Sequence, residues 1–129
     1  MERQIIVTDK APAAIGPYAQ ANRVGDFIFT SGQLPLDPVS GETVGVTVST
    51  QLEQALKNLK ALLEASGSSL EDVIKTTVFL TDKADFAQIN GVYTQYFSGD
   101  RLPSRSAVAV NALPRGVLVE IEAIALVAR

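Results

Sequence analysis

Val117-Leu118-Val119-Glu120-Ile121-Glu122-Ala123-Ile124-Ala125-Leu126-Val127 is the stretch on which the fold turns. Its β-branched residues favour a strand, and side chains on a strand alternate between two faces. Val119, Ile121, Ala123 and Ala125 therefore share one face, while Leu118, Ile124 and Leu126 share the other with Glu120 and Glu122. A strand with one side in water carries polar residues along that side. Here the second face is apolar as well, and Phe27-Ile28-Phe29 shows the same property. Both faces of the sheet must be covered.

Outward from this strand, residues 104–110 form the strand before it, joined through Leu113-Pro114-Arg115-Gly116. Residues 73–81 are rich in β-branched side chains and predict another strand. Phe86, Ile89, Tyr93 and Phe97 recur at helical spacing and predict a helix that stops near Gly99. Leu52, Leu56, Leu59 and Leu63 mark a longer helix over residues 51 to 65 or 66, with Thr50 and Glu53 as its capping box and Gly67 as its stop. Ser69-Leu70-Glu71-Asp72 adds a further turn. Residues 18–24 and 27–31 predict a hairpin around Gly25-Asp26. The two prolines of residues 11–17 make that segment a surface loop leading into Tyr18. The order is two strands, helix, strand, helix, two strands: an α+β chain with a single sheet and two helices on one face. Two helices leave the second face bare, so a second copy of the chain is expected to cover it.

The 129 residues leave room for one domain, 1–129. Hydrophobic residues are 47% and charged residues 19%, an ordinary globular composition. There is no Cys and no His, which excludes disulfides, thiolate nucleophiles and imidazole bases. Arg, Lys, Asp, Glu, Tyr, Ser, Thr and the backbone remain, a set suited to binding an anion, polarising an imine and positioning water. A net charge of −3 with both signs scattered argues against a nucleic-acid partner. No apolar run approaches the roughly 18 residues of a membrane span, and the N-terminus lacks a signal pattern, so a cytoplasmic protein with no membrane partner is expected.

Arg105 shares a strand face with Ala107 and Ala109, whose small side chains leave room around the guanidinium. Such a fork suits bidentate capture of a carboxylate; the alternative is an edge arginine paired with Glu120 or Glu122. Glu120 and Glu122 lie on a partly apolar face, where a desolvated carboxylate is a candidate base. Equally, they fit a structural ion pair with Arg101, Arg105 or Arg115. Tyr18 follows the rigid Gly16-Pro17 pair, as a pocket phenol or a packed aromatic. Ser31 and Gly32 end a strand with an exposed hydroxyl and a permissive backbone, as an anion cradle or a plain turn. Asn90 follows Ile89 on the second helix.

Ala13-Ala14-Ile15-Gly16-Pro17-Tyr18, Thr30-Ser31-Gly32-Gln33, Lys75-Thr76-Thr77-Val78-Phe79-Leu80, Arg105-Ser106-Ala107-Val108 and Val119-Glu120-Ile121-Glu122-Ala123-Ile124-Ala125 resemble the RidA/YjgF reactive-intermediate deaminase family from end to end. The resemblance implies a chorismate-mutase-like subunit in a homotrimer with sites between subunits. It implies hydrolysis of 2-aminoacrylate-type enamines and imines, such as 2-iminopropanoate and 2-iminobutanoate, to 2-keto acids and ammonia without metal or cofactor. Carried over by position, Arg105 grips the substrate carboxylate and Glu120 positions or activates water. Tyr18, Ser31, Gly32 and Asn90 surround the ligand. Many family members have Cys where this chain has Ala107, so any contact there falls to the backbone. The competing reading is a non-catalytic trimer that binds small carboxylates such as 2-keto acids. Two others, ribonuclease activity and a chaperone-like holdase, have less support: the first fits the charge poorly, and the second would be independent of Arg105.

Overall fold

The computed structural model describes residues 1–128. Its elements are β1 (Arg3–Ile6), β2 (Ala21–Val24), β3 (Phe27–Thr30), α1 (Val48–Ala65), β4 (Val73–Leu80), α2 (Phe86–Tyr96), β5 (Ser104–Ala109) and β6 (Val119–Leu126). The sheet order is β1-β2-β3-β6-β4-β5, antiparallel at every pairing except β4 with β5, where α2 makes the crossover that parallel neighbours need. The expected α+β sheet with two helices is present. Strand β1 was not anticipated; its four residues pair with β2 along an edge. β2 begins at Ala21, because Tyr18 and its neighbours stay in the preceding loop.

The long helix starts three residues earlier than the capping-box reading places it. Thr47 is the N-cap, and its Oγ1 accepts from the Thr50 amide at 3.2 Å, so Thr50 is the capped residue and not the cap. Glu53 reaches forward to Lys57 at 4.0 Å, an exposed pair one turn on. The interior stripe is as expected: Leu52, Leu56, Leu59, Leu62 and Leu63 are fully buried.

These leucines pack on the face of the sheet that carries Ile28, Thr76, Val78, Leu80, Val119, Ile121 and Ala125, all buried. The second helix is tied to the same face by a hydrogen bond of 2.8 Å between the Tyr93 hydroxyl and Thr76 Oγ1. Both helices therefore sit on one side. The opposite side carries Phe27 and Phe29, each 45% exposed, with Ile74, Val108 and the half-buried Ile124 and Leu126 around them. Among the described residues no helix is long and apolar enough to cross a membrane.

Leu59 is fully buried between α1 and the sheet, so Leu59→Ala is expected to cost about 2–5 kcal/mol through lost transfer energy and the cavity left behind. Urea unfolding at fixed protein concentration checks this, with a lower midpoint at unchanged slope as the expected outcome.

Candidate functional site

Arg105 lies on the helix-facing side of edge strand β5, where its register partner is Thr76. Its Nη1 donates to Asn90 Oδ1 at 2.9 Å, and its Cζ stands 4.8 Å from the centroid of the Tyr93 ring. Asn90 and Tyr93 are one helical turn apart on α2, so a single helix supplies both the acceptor and the aromatic face. Tyr93 is itself fixed through Thr76, and burial pushes its phenol above the ordinary tyrosine range. The guanidinium is thus oriented by two neutral groups, which hold it without neutralising it. Among the described residues one N–H of its five is used. Within one chain Arg105 pairs with neither Glu120 nor Glu122, because those carboxylates project from the other face of the sheet. On β4 Thr76 is buried toward the helices and opposes Arg105, whereas Phe79 and Thr77, which oppose Glu120 and Glu122, face away.

Glu120 belongs to a second cluster. Gln33 and Ile121 exchange backbone hydrogen bonds at 2.6 and 3.1 Å, and this bridge holds residues 31–33 beside β6. The consequence is close contact: a Cβ placed on Gly32 would lie 2.6 Å from Glu120 Cδ. Gly32 has no unusual backbone angle, so the glycine is required for space alone. Burial pushes the Glu120 carboxyl above the usual glutamate value, and the neighbouring Glu122 carboxylate raises it further. Among the described residues the Gly32 N–H donates to no protein group, which leaves it available to a ligand. Ser31 differs from expectation. Its hydroxyl is half-buried and donates to the Ala19 carbonyl at 2.6 Å, so it secures the turn where an exposed group was expected.

Tyr18, Ser31, Gly32, Leu34, Pro114 and Arg115 line a cavity of about 230 Å³. The loop bearing Tyr18 is anchored by a buried glutamine. Gln20, 5% exposed, accepts from the Thr8 amide and donates to the Thr8 and Pro12 carbonyls at 2.8, 3.0 and 2.8 Å. No short motif marks a lone buried glutamine; its role appears only when the loop is seen folded around it. Arg115, a candidate ion-pair partner by sequence, makes no ion pair among the described residues. It adopts φ 62°, ψ 15°, a left-handed conformation costly for a side chain with a Cβ, and its Nη1 donates to the Gly41 carbonyl at 2.7 Å.

One chain therefore holds two candidate half-sites on opposite faces of its sheet. Arg105, Asn90 and Tyr93 form one cluster; Glu120 stands against Gly32, which lines the cavity together with Tyr18. Ala107 stands on β5 two residues from Arg105, and β5 is the end strand of the sheet, paired with β4 alone among the described strands. Among the described residues no group of three His, Cys, Asp or Glu is placed to hold a metal ion.

The raised Glu120 pKa carries a linkage sign. From the ordinary value of 4.5 up to its raised value, the folded chain holds the proton more firmly than the unfolded chain. Stability contributed by the neutral carboxyl is full below that window and declines as pH rises through it. Glu120→Gln is expected to flatten this decline, checked by denaturant midpoints measured across the window for both proteins.

Comparison with known proteins places this geometry. The family described as Endoribonuclease L-PSP matches residues 8–127. A RutC family protein of Pyrococcus abyssi is 51% identical over 125 residues, covering 97% of this chain and 98% of that one. A mouse protein named 2-iminobutanoate/2-iminopropanoate deaminase is 53% identical over 124 residues, covering 96% and 91%. The structure of Escherichia coli TdcF with bound serine superposes with a TM-score of 0.90 at 47% identity, covering 97% and 99%. With likeness of this depth across nearly the whole of each sequence, the chain belongs to the RidA/YjgF family.

Proposed function

We propose that this protein is a cofactor-independent hydrolase, a 2-iminobutanoate/2-iminopropanoate deaminase that converts 2-aminoacrylate-type enamines and imines to 2-keto acids and ammonia. The observation that carries the reading is the pairing of a desolvated Glu120 over a bare glycine amide with an arginine fork held by neutral partners. The mouse relative's name and the serine bound to TdcF, a small molecule bearing a carboxylate, support it.

Because the half-sites lie on opposite faces, a complete site joins Arg105 of one copy to Glu120, Gly32 and Tyr18 of another. The substrate carboxylate binds the free edge of the Arg105 guanidinium, charge-assisted and bidentate. Asn90 keeps the fork from rotating, and the backbone at Ala107 offers an acceptor to water. The imine carbon then sits near Glu120. Ionised Glu120 takes a proton from water as its oxygen adds to the carbon of the protonated imine, and returns that proton to the carbinolamine nitrogen. Ammonia then leaves as the hydroxyl proton passes to Glu120 and the C=O bond forms, and Glu120 gives this proton up to the departing ammonia as ammonium. The new bond is C–O, the broken bond is C–N, and no redox change occurs. A pKa raised toward neutrality lets one carboxyl serve as base and then acid. Holding water and imine in contact supplies the remainder of the acceleration.

The reading is tested by coupling the protein to a dehydratase that releases the imine and following 2-keto acid. Glu120→Gln is expected to lower kcat by roughly 10²–10⁴ while retaining ligand affinity. Arg105→Ala is expected to lower kcat/KM roughly ten- to hundredfold through KM. Wild-type traces equal to buffer would favour the non-catalytic binder of small carboxylates.

The assembly proposed is a homotrimer whose sheets pack through Phe27, Phe29 and Val108. Phe29→Asp places a charge on that face and is expected to yield smaller species with little activity, read by sedimentation velocity alongside the coupled assay.

A further inference from the structure

We infer that Arg115 forms a second anion-binding subsite, and that the protein accepts 2-imino acids bearing a distal carboxylate, the imines of acidic amino acids. The inference rests on the deaminase reading of the same site and extends it to a substrate class. Arg115 lines the same cavity as Ser31 and Gly32, with Gly32 directly against Glu120. The cavity, about 230 Å³, has room beyond the methyl or ethyl group of 2-iminopropanoate or 2-iminobutanoate.

Where Arg115 stands, and how it is held, points to a ligand. Its backbone is fixed in the left-handed region between Pro114 and Gly116, itself at φ 70°. Its side chain is tied by one N–H to the Gly41 carbonyl, at the tip of a turn that Asp37 stabilises by accepting from the Val39 and Ser40 amides. Asp37 and Glu42 are close in sequence to Gly41, yet neither forms an ion pair with Arg115; the pair between Lys57 and Glu53 is elsewhere. Among the described residues Arg115 is exposed, makes no ion pair and uses one N–H, on Gly41, so the rest of the fork is open to a ligand where the cavity lining also presents the apolar Leu34, Leu36 and Pro114. A substrate whose first carboxylate lies on Arg105 of one copy would extend its side chain across that wall and place a second carboxylate on the Arg115 fork. A neutral side chain of the same length would leave the guanidinium unmatched.

The experiment compares two imines generated in situ by amino-acid oxidases, 2-iminopropanoate from alanine and 2-iminoglutarate from glutamate. Wild type is compared with Arg115→Asn, since asparagine tolerates the left-handed region, and with Arg115→Lys, which keeps charge and loses the fork. The expected result is that the ratio of kcat/KM for the dicarboxylate over the monocarboxylate falls about tenfold in Arg115→Asn, with Arg115→Lys between. Calorimetric binding of 2-oxoglutarate and 2-oxobutanoate gives the same ratio as dissociation constants and needs no turnover. A wild type that turns over neither imine defeats the deaminase reading, while an Arg115-dependent preference for 2-oxoglutarate still upholds the subsite. An unchanged ratio in both measurements overturns the subsite, and thermal midpoints confirm that the variants are folded.

Discussion

Strand β6 is buried on one face by helices and lined with apolar side chains on the other, and most of the molecule follows from that double demand. It lies between β3 and β4, paired with β4 along its length and with β3 at residues 124–126, and Val119, Ile121, Ala123 and Ala125 interlock with the leucines of α1. The alternation that buries these four residues forces Glu120 and Glu122 onto the opposite face beside Ile124 and Leu126. A carboxylate there loses hydration whether or not it does chemistry. Its raised pKa is a by-product of strand register.

Register also accounts for the division of the site. Arg105 and Glu120 come from strands separated by β4 alone, yet the pairing of Thr76 with Arg105 and of Phe79 with Glu120 places them on different faces. Each half is built by ordinary means. Helix α2 offers Asn90 and Tyr93 to the arginine, and the Gln33–Ile121 bridge brings a glycine under the glutamate. Buried amides secure the loops around them: Gln20 holds the Tyr18 loop, and Asn58 on α1 donates to the Leu34 and Leu36 carbonyls. Each donor–acceptor set is satisfied, so the polar interior orders the cavity wall at little net cost.

Much of this was legible beforehand because the relevant signals are local. Helical spacing of leucines, the β-branched strands and the rigid Gly16-Pro17 step need only neighbours in sequence. Errors arose where two local signals competed. Thr50 and Glu53 satisfy a capping pattern, but Thr47 lies three residues earlier with a free extended backbone, and the helix takes the longer option. Strand β1 has few residues and no periodic length, so its existence depends on β2 offering an edge. Ser31 looked exposed because a strand-ending serine usually is; the Ala19 carbonyl beside it exists only after the hairpin closes.

The amino-acid sequence by itself determined the α+β class, the two-faced apolar sheet and the identity of Arg105, Glu120, Tyr18, Gly32 and Asn90 as residues to watch. These follow from composition, from periods of 2 and 3.6, and from motif resemblance, none of which requires knowing what lies across the fold. Tertiary structure alone decided that Gly32 must lack a Cβ, that Asn90 and Tyr93 hold Arg105, and that Arg115 faces the cavity in a left-handed turn. The physical reason is distance along the chain. Contacts between residues 32 and 120, or 90 and 105, depend on sheet order and helix crossover, which local propensities constrain only when summed over the whole molecule.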